Sequence, residues 1–566
     1  MSKTRLKLII WFILTILAFG GVFFAIQQVA RLVAYFQEGA DPASALNIVP
    51  NVPPDLKVRL TWLPDDPDTG REMEPFTRTQ IQSAYLRAWL QWNISYLRGE
   101  PYGLTTYFVG PALEAVNESV TSVAAQGWRV EQTDLSHELQ LHLYSADGSI
   151  VSFTDHNARV VQLVRNETGQ LVATAETTAT FDVMMFLEDG NWRVRHWVRV
   201  DGDLVDVAGK TAVSPLPSFV QQEGTHLVVN GRSFQVRGIN YYPQATPWDL
   251  FWPNYNGELI DQDLTRIQQL GLNTIRIFVP FDQFGGADVN PEMVARLTDL
   301  LDRAQAHDLK VIVTLFDFRT KYDLLLWPHT DRHLEGILPA LAEHPAILAW
   351  DLKNEPDLDY DTADPVWVNE WLAHTARLAR ELDPNHLVTI GWSTPEAAQT
   401  LADVVDFVSF HYYREAEMLG EVYATLKTAV SDRPIILTEF GLSTWNSPFF
   451  PGGHTEAEQA AYYAQVLSFA ETAEMGWLAW TLYDFEHVPG GVAGQLPWRS
   501  GPQRRYGLLR PDGSMKPAGE ILLSATPATS PSWQARFKPF WITAVLVMGI
   551  FISIVWQAGR IYRQRQ

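Results

Sequence analysis

The sequence predicts an α/β chain: a (β/α)8 TIM barrel preceded by a small α+β domain, with one transmembrane helix at each terminus. Three observations predict it. Between about His226 and Ile521, eight apolar strand-like runs alternate with helical segments, the pattern of parallel strands joined by crossover helices. Ahead of them, two helical segments lead into a meander of alternating runs and Gly turns. At the two ends, Leu8–Ala30 and Pro539–Gly559 carry no charge, and each exceeds or matches the roughly 20 residues that span a bilayer core.

Composition narrows the function classes. At 566 residues with 46% hydrophobic and 12% aromatic content, the chain is too long for one ordinary domain and too apolar for disorder. Its formal net charge of -22 argues against a nucleic-acid partner, which needs clustered Lys and Arg. The absence of cysteine excludes disulfides, thiol nucleophiles, thiolate metal sites and iron–sulfur clusters. The 21 tryptophans fit a carbohydrate cleft where they sit on strand-end loops, because indole faces stack on pyranose rings.

The first span, 8–30, follows Lys3, Arg5 and Lys7, and the second, 539–559, precedes Arg560, Arg563 and Arg565. Positive flanks stay in the cytoplasm, so both termini are expected there and the soluble domains on the extracytoplasmic side of the cell membrane. The first run also exceeds the apolar stretch of about 7–15 residues in a cleaved signal peptide. Residues 51–74, rich in Pro and Asp, read as a linker, and 524–538 as the tether to the second span.

The small domain, 75–203, opens with a helix over Thr79–Arg98 that sets Tyr85, Trp89, Trp92 and Tyr96 on one face, and a second over Pro111–Val123. Strands follow at Trp128–Thr133, Glu138–Tyr144, Ile150–Arg165, Leu171–Leu187 and Trp192–Val200. The closing Phe186–Trp197 hairpin resembles that of the nuclear-transport-factor-two-like cone fold, a resemblance covering about Pro75–Asp201; such cones can hold a small ligand or catalyse, and a structural role as spacer or dimerisation unit is expected here.

In the barrel, 222–523, the strands fall near Phe234–Tyr242, Asn273–Pro280, Lys310–Phe318, Ile347–Glu355, Leu387–Gly391, Phe407–Tyr412, Pro434–Phe440 and Trp477–Tyr483. Amphipathic stretches such as Glu292–His307, Trp367–Glu381 and Glu456–Glu474 pack one face against them. Two glutamates, Glu355 and Glu439, end the fourth and seventh strands. A pair of carboxyl groups at the C-terminal rim of a barrel is what glycoside hydrolysis requires.

Several motifs in order make the barrel resemble a clan A glycoside hydrolase, most similar to family 5, the cellulase and mannanase group. Asn354-Glu355-Pro356 matches the fourth-strand acid/base motif, His411-Tyr412-Tyr413 the sixth-strand His-x-Tyr and Glu439 the seventh-strand nucleophile. Arg276 matches the second-strand arginine, Trp480 the eighth-strand tryptophan, the run 227–242 the entry strand and the segment from Tyr506 to Pro517 the closing one. The resemblance implies a retaining β-glycosidase working by a two-glutamate double displacement with no metal or organic cofactor. Glu439 would attack as a carboxylate and Glu355 would protonate the leaving oxygen. Arg276 is expected to keep Glu439 ionised, and burial beside a negative neighbour to keep Glu355 protonated. Tyr413 would hold Glu439, Asn354 would bond the sugar 2-hydroxyl, and Trp480 would floor the subsite. His411, Asn240 and Tyr241, with Asp317, are the remaining substrate-binding or supporting candidates. Asp317 stands where many relatives carry a histidine.

Rival readings are a transglycosylase on the same glycan and a non-catalytic glycan-binding scaffold, the latter opposed by the intact pair. Asp357, Asp359 and Asp361 begin like a calcium loop, but Thr362 replaces the glycine and Val368 the final Glu. His329 and His333 lack a Glu-x-x-His setting, so a metal site there is not expected. The loop Pro489–Gly494 lacks the Lys-Ser/Thr of a phosphate loop. The sugar, the linkage and the oligomeric state stay open at this level.

Overall fold

The computed structural model describes residues 57–200, 219–448, 453–494, 496–523 and 539–564. The chain enters through strand β1, Arg59–Trp62, which pairs in parallel with β2 over Ser136–Leu139. Part of the predicted linker is therefore an edge strand, held because Leu60 and Trp62 pack on the small domain's core. Helices α1, Pro75–Arg98, and α2, Gly110–Ala125, follow. Pro near its start fits the first turn of α1, and Gly99, at φ 68° with its N–H on the Tyr96 carbonyl, ends it.

The sheet order is β1-β2-β3-β4-β5, with β2 Arg129–Tyr144, β3 Ile150–Arg165, β4 Leu171–Glu188 and β5 Asn191–Arg199. The two strands expected over 128–144 are one. Register shifts between Asp134 and Leu139 carry the polar stretch that looked like a break, and they turn His137 into the interior. Its Nδ1 lies 2.7 Å from Asp155 and its Nε2 3.1 Å from Asp134.

The barrel closes as β9-β10-β11-β12-β13-β14-β15-β16 and back to β9. Its strands are β9 Arg237–Asn240, β10 Thr274–Pro280, β11 Lys310–Asp317, β12 Ile347–Asn354, β13 Leu387–Trp392, β14 Val408–Tyr412, β15 Ile435–Phe440 and β16 Gly476–Ala479. Runs such as Ile435–Phe440 are buried throughout, as expected of parallel strands covered on both faces. The first strand starts later than the sequence suggests. Gln221–Glu223, His226–Val229 and Arg232–Ser233 form a separate antiparallel sheet (β6–β8). Residues Val220 and Leu227 beside it pack on Ile312, Leu348, Ile436 and Leu478, which plugs the N-terminal mouth.

The outer helices are α3 Gly257–Gln269, α4 Pro291–Ala306, α5 Trp327–Leu341, α6 Pro365–Leu382, α7 Leu419–Ala429 and α8 Glu456–Thr472. Asn256, Asn290 and Asp364 cap α3, α4 and α6, and Thr455 with Glu458 forms a full capping box on α8. Between β13 and β14 only the short turns Ala397–Gln399 and Ala402–Val404 replace a helix. The short helix Pro517–Leu523 completes the eighth unit.

The small domain docks along α5 and α6. Leu135, Val161 and Leu163 of its sheet belong to the barrel's hydrophobic cluster. Beside them His374 is fully buried, 2.9 Å from Asp331 and 3.4 Å from Glu176 of β4. Burial disfavours its cation, but the two carboxylates outweigh this and raise it to about 9. Burial likewise works against ionised Glu176, yet His374, Arg159 and Arg377 hold it well below the usual carboxylate range. A histidine whose folded pKa exceeds its unfolded value of about 6.5 contributes fully below that pH, and the contribution disappears as the pH rises through about 9. His374→Gln strands two acidic partners and is expected to cost roughly 3–5 kcal/mol. In chemical denaturation it should also lose part of the alkaline destabilisation of the unsubstituted protein. His137, which Asp155 and Asp134 raise to about 9 against its burial, contributes in the same direction.

The two transmembrane helices expected from the sequence are not found as such. Among the described residues no helix is long and apolar enough to cross a membrane. The first expected span, 8–30, lies outside the described residues. The second falls in the helix Pro539–Gln564.

Candidate active site

Arg276 organises the C-terminal end of the barrel. Fully buried on β10, it donates from Nε and Nη2 to Asp351 Oδ2 at 2.9 and 2.6 Å, and from Nη1 to Glu439 Oε1 at 2.6 Å. The same fork donates to Asn240 Oδ1 at 3.0 Å and Asn354 Oδ1 at 2.8 Å. One rigid cation thus fixes four groups from three other strands, which a single ammonium would not do. Asp351 also accepts from Thr314 Oγ1 and the Gly391 N–H, at 2.9 and 2.8 Å. Gly391 is required here, since a Cβ would stand 2.7 Å from Arg276 Nη2.

Glu439 Oε2 accepts from Tyr413 Oη at 2.8 Å. His411 Nδ1 lies 2.8 Å from Glu355 Oε1 and 3.6 Å from Glu439 Oε2. Oxygens of the two glutamates and a nitrogen of His411 all fall within 4.8 Å of one another. Simple alternation would turn Glu439 away from the interior, because neighbouring Thr438 hydrogen-bonds across the wall to the Phe410 carbonyl. A register shift between Phe410 and His411 sets His411 opposite Glu439 and turns both inward. Glu355 reaches the cleft from a left-handed backbone, φ 49° and ψ 51°, unusual for a residue with a side chain. Such strain is commonly stored at functional sites.

The electrostatics correct one expectation. Burial pushes the Glu355 carboxyl up, but the bond from His411 and the charges of His411, Arg276 and Lys353 outweigh it and hold the carboxyl below the ordinary range. In the unliganded cleft Glu355 is therefore ionised rather than held protonated. His411 Nδ1 faces Glu355 Oε1 at 2.8 Å, while its Nε2 is buried without a partner. Arg276 stays cationic because Asp351 and Glu439 offset its burial. Glu355, His411 and Glu439 are close enough to gather a cation, but the guanidinium on Glu439 already supplies positive charge there.

Of the sequence candidates, Arg276, Asn354, Glu355, His411, Tyr413, Glu439 and Asn240 meet directly. Asn240 Nδ2 also anchors to the Thr438 and Ala479 carbonyls, at 2.9 and 3.2 Å. Trp480 packs against Tyr242, Phe278 and Trp248, with ring centroids 6.4, 6.0 and 6.3 Å away. Asp317 is buried at the end of β11. Tyr241 does not join them: its hydroxyl donates to Asp263 of α3 at 3.0 Å, between wall and helix. Successive strand residues point to opposite sides, so with Asn240 inside it is Tyr242, stacked 5.2 Å from Phe278, that shares the interior.

Asp357 accepts from Ser393 and Asp359 pairs with Lys353 at 3.2 Å, so these carboxylates brace the loop after β12. His333 Nδ1 turns to the Gly286 carbonyl at 2.8 Å. Asp351, Thr314 and Lys353 went unassigned in the sequence, and Tyr242 and Tyr506, the latter 5.8 Å from the Tyr413 ring, were matched only as parts of the entry and closing segments. Asp351 had a signal, a lone acid inside the apolar run of β12. A separate cavity of about 380 Å³, lined by Lys427, Arg433 and Glu474, lies at the N-terminal plug, away from the carboxyl pair.

Residues 228–486 match the family model of the cellulases, glycosyl hydrolase family 5. The barrel is a clan A glycoside hydrolase domain, most similar to family 5. Mannan endo-1,4-beta-mannosidase 1 of Oryza sativa subsp. japonica is 23% identical over 353 residues, 48% of this chain and 79% of the relative. Mannan endo-1,4-beta-mannosidase 5 of Arabidopsis thaliana is 23% identical over 312 residues, 41% of this chain and 71% of its own. Among solved structures, the exo-beta-1,4-mannosidase Op5Man5 from Opitutaceae bacterium strain TAV5 aligns with a TM-score of 0.44 and 20% identity, over 55% of this chain and 61% of that one. The family match and the curated relatives make the chain an O-glycosyl hydrolase acting on β-glycosidic bonds.

Proposed function

We propose that this glycoside hydrolase is a retaining, membrane-tethered enzyme that cleaves a β-linked, mannan-type glycan outside the cytoplasm. The observation that carries the mechanism is the approach of Glu355 and Glu439 oxygens to within 4.8 Å. Carboxyl groups about 5–5.5 Å apart fit direct attack, whereas a separation of about 6.5–9.5 Å leaves room for the water of an inverting enzyme. Glu439, aligned by Arg276 and Tyr413, attacks the anomeric carbon as a carboxylate. Glu355 then has to deliver a proton to the leaving oxygen, and the substrate assists by displacing water and raising the cost of its charge. Once Glu439 is esterified its negative charge is gone, which lowers the proton affinity of Glu355 and suits it to deprotonate the incoming water.

Glu355→Gln tests the division of labour. With a poor leaving group, turnover is expected to fall about 10²–10⁴-fold, the worth of a general acid, and with a dinitrophenolate leaving group much less. An equal loss on both would remove Glu355 from the acid role.

The substrate class is supported by the curated relatives, named for mannan endo-1,4-beta-mannosidase activity. Tethering is supported by the exposed apolar side chains from Val545 to Trp556 on the terminal helix and by the basic residues outside both uncharged runs. Protease added to intact cells is expected to digest the barrel and spare both termini. Protection of the barrel would reverse the orientation.

A further inference from the structure

Glu355 leaves β12 in a left-handed backbone and opens the turn Pro356–Asp361. That conformation costs energy and persists only where the surroundings over-determine it. Packing supplies part of the restraint through the buried Pro356, but Leu358 in mid-turn is exposed. Polar bonds supply the rest. Asp357 accepts from the N–H and Oγ of Ser393, just past β13, at 2.9 and 2.5 Å. Asp359 Oδ2 accepts from the Tyr322 hydroxyl in the loop after β11 and lies 3.2 Å from the Lys353 ammonium. Lys353, two residues before Glu355 on β12, is 3% exposed and also donates to the Asn354 carbonyl at 3.4 Å. One carboxylate oxygen therefore ties the turn after Glu355 to the third and fourth barrel strands together.

We infer that Lys353 and Asp359 are positioning residues for the reaction: their pair clasps the turn after Glu355, so that its carboxyl stays in left-handed reach of His411. This rests on the reading of Glu355 as the acid/base. A nearly buried ion pair gains little stability over apolar side chains of similar volume, so stability alone does not account for a lysine in this wall. What the clasp secures is geometry. Glu355 Oε1 meets His411 Nδ1 at 2.8 Å from a backbone at φ 49°. Relaxation of that φ swings the carboxyl away from His411 and from the glycosidic oxygen it has to protonate.

The charged and titratable groups facing Glu355 are His411 on β14, Arg276 on β10, Lys353 on β12, Glu439 on β15, Asp317 on β11 and Tyr413 after β14. Burial raises its carboxyl, and the bond and charge of His411 with the charges of Arg276 and Lys353 bring it below the ordinary range. Removing the ammonium takes away one of the lowering charges, so Glu355 holds its proton to higher pH. Removing Asp359 leaves the ammonium and takes away a negative charge, which has the opposite sign. Loss of the clasp is common to both changes; the direction of the pH effect is not.

The test measures kcat/KM of the full-length protein and of its Asp359→Ala, Asp359→Asn and Lys353→Met variants on a phenyl and a dinitrophenyl β-mannobioside across pH. Asp359→Ala and Lys353→Met are expected to lose about 10- to 100-fold on the phenyl substrate, whose leaving group needs the proton, and no more than about threefold on the dinitrophenyl substrate, which leaves without it. Asp359→Asn, which keeps an acceptor for Tyr322 and Lys353, is expected to recover most of the loss. On the phenyl substrate the falling limb of kcat/KM moves to higher pH in Lys353→Met and does not in Asp359→Ala. Equal losses on both substrates, no loss on either, an Asn variant no better than Ala, or a limb that moves equally on both substrates, as titration of Asp317 would make it, would each overturn the proposal while leaving the glycosidase reading intact. Absence of turnover of both substrates by the unsubstituted protein would overturn the two together. If Lys353→Met does not fold, the Asp359 variants decide; failure of Asp359→Ala to fold as well marks the pair as structural and overturns the proposal.

Discussion

Glu439→Gln is expected to reduce turnover of aryl β-glycosides by roughly 10⁴-fold or more, a loss of the size seen when an enzyme's nucleophile is removed, without unfolding the protein. The amide keeps the shape of the carboxyl: its oxygen can still accept from Arg276 Nη1, 2.6 Å from Glu439 Oε1, while its NH2, standing in for Oε2, can donate to Tyr413 Oη, 2.8 Å away. Arg276 also retains its two bonds to Asp351, so no buried cation is stranded. What disappears is the negative charge and the lone pair that attack the anomeric carbon. Steady-state kinetics with an activated aryl glycoside, paired with thermal melting, separates the two effects. Wild-type turnover in the folded variant would remove Glu439 from the nucleophile role.

Arg276→Met is expected to damage both activity and stability. The substitution leaves Asp351 and Glu439 in the interior without the cation that each contacts at 2.6 Å. Breaking a buried pair from one side costs roughly 3–5 kcal/mol, because the remaining charges are uncompensated. Turnover should fall by about 10²–10³-fold, the scale of losing one preorganised electrostatic contact, as Glu439, Asn354 and Asn240 lose their common anchor. Arg276→Lys should recover little of either quantity, since an ammonium cannot form the fork to Asp351 while reaching Glu439. Equilibrium denaturation and kcat/KM measure the two losses; a lysine variant equal to the unsubstituted protein would show that charge alone, and not the fork, matters.

Much of this arrangement was legible in the sequence, and the parts that were not share physical causes. Strands such as Ile435–Phe440 and Thr274–Pro280 announced themselves as largely apolar runs, interrupted chiefly by the site residues Glu439 and Arg276, because both faces are covered. The rim position of Glu355 and Glu439 followed from their places at strand ends. Their approach did not, because it depends on a register shift beside His411 and on the left-handed backbone of Glu355. Tyr241 and Tyr242 are adjacent, and period-two alternation selects between them only when the inward residue of the strand is known. His137 made one strand look like two, since a buried histidine held by Asp134 and Asp155 has the composition of a turn.

Docking of the small domain was invisible for another reason. Glu176 and His374 stand 198 positions apart, and on its own helix His374 has no feature that distinguishes it from a surface residue. The proton balance of Glu355 was likewise misjudged from sequence. Burial alone predicts a protonated acid, but three cationic or hydrogen-bonding neighbours converge on it only in the fold.

The most direct test of retaining β-glycoside hydrolysis by Glu355 and Glu439 is proton NMR of the anomeric signal during the first minutes of hydrolysis of a β-linked manno-oligosaccharide. Double displacement at one carbon gives the β-anomer first, with the α-anomer appearing only by mutarotation. If the α-anomer appears first, the two carboxyls do not act as nucleophile and acid/base in the way their approach within 4.8 Å implies.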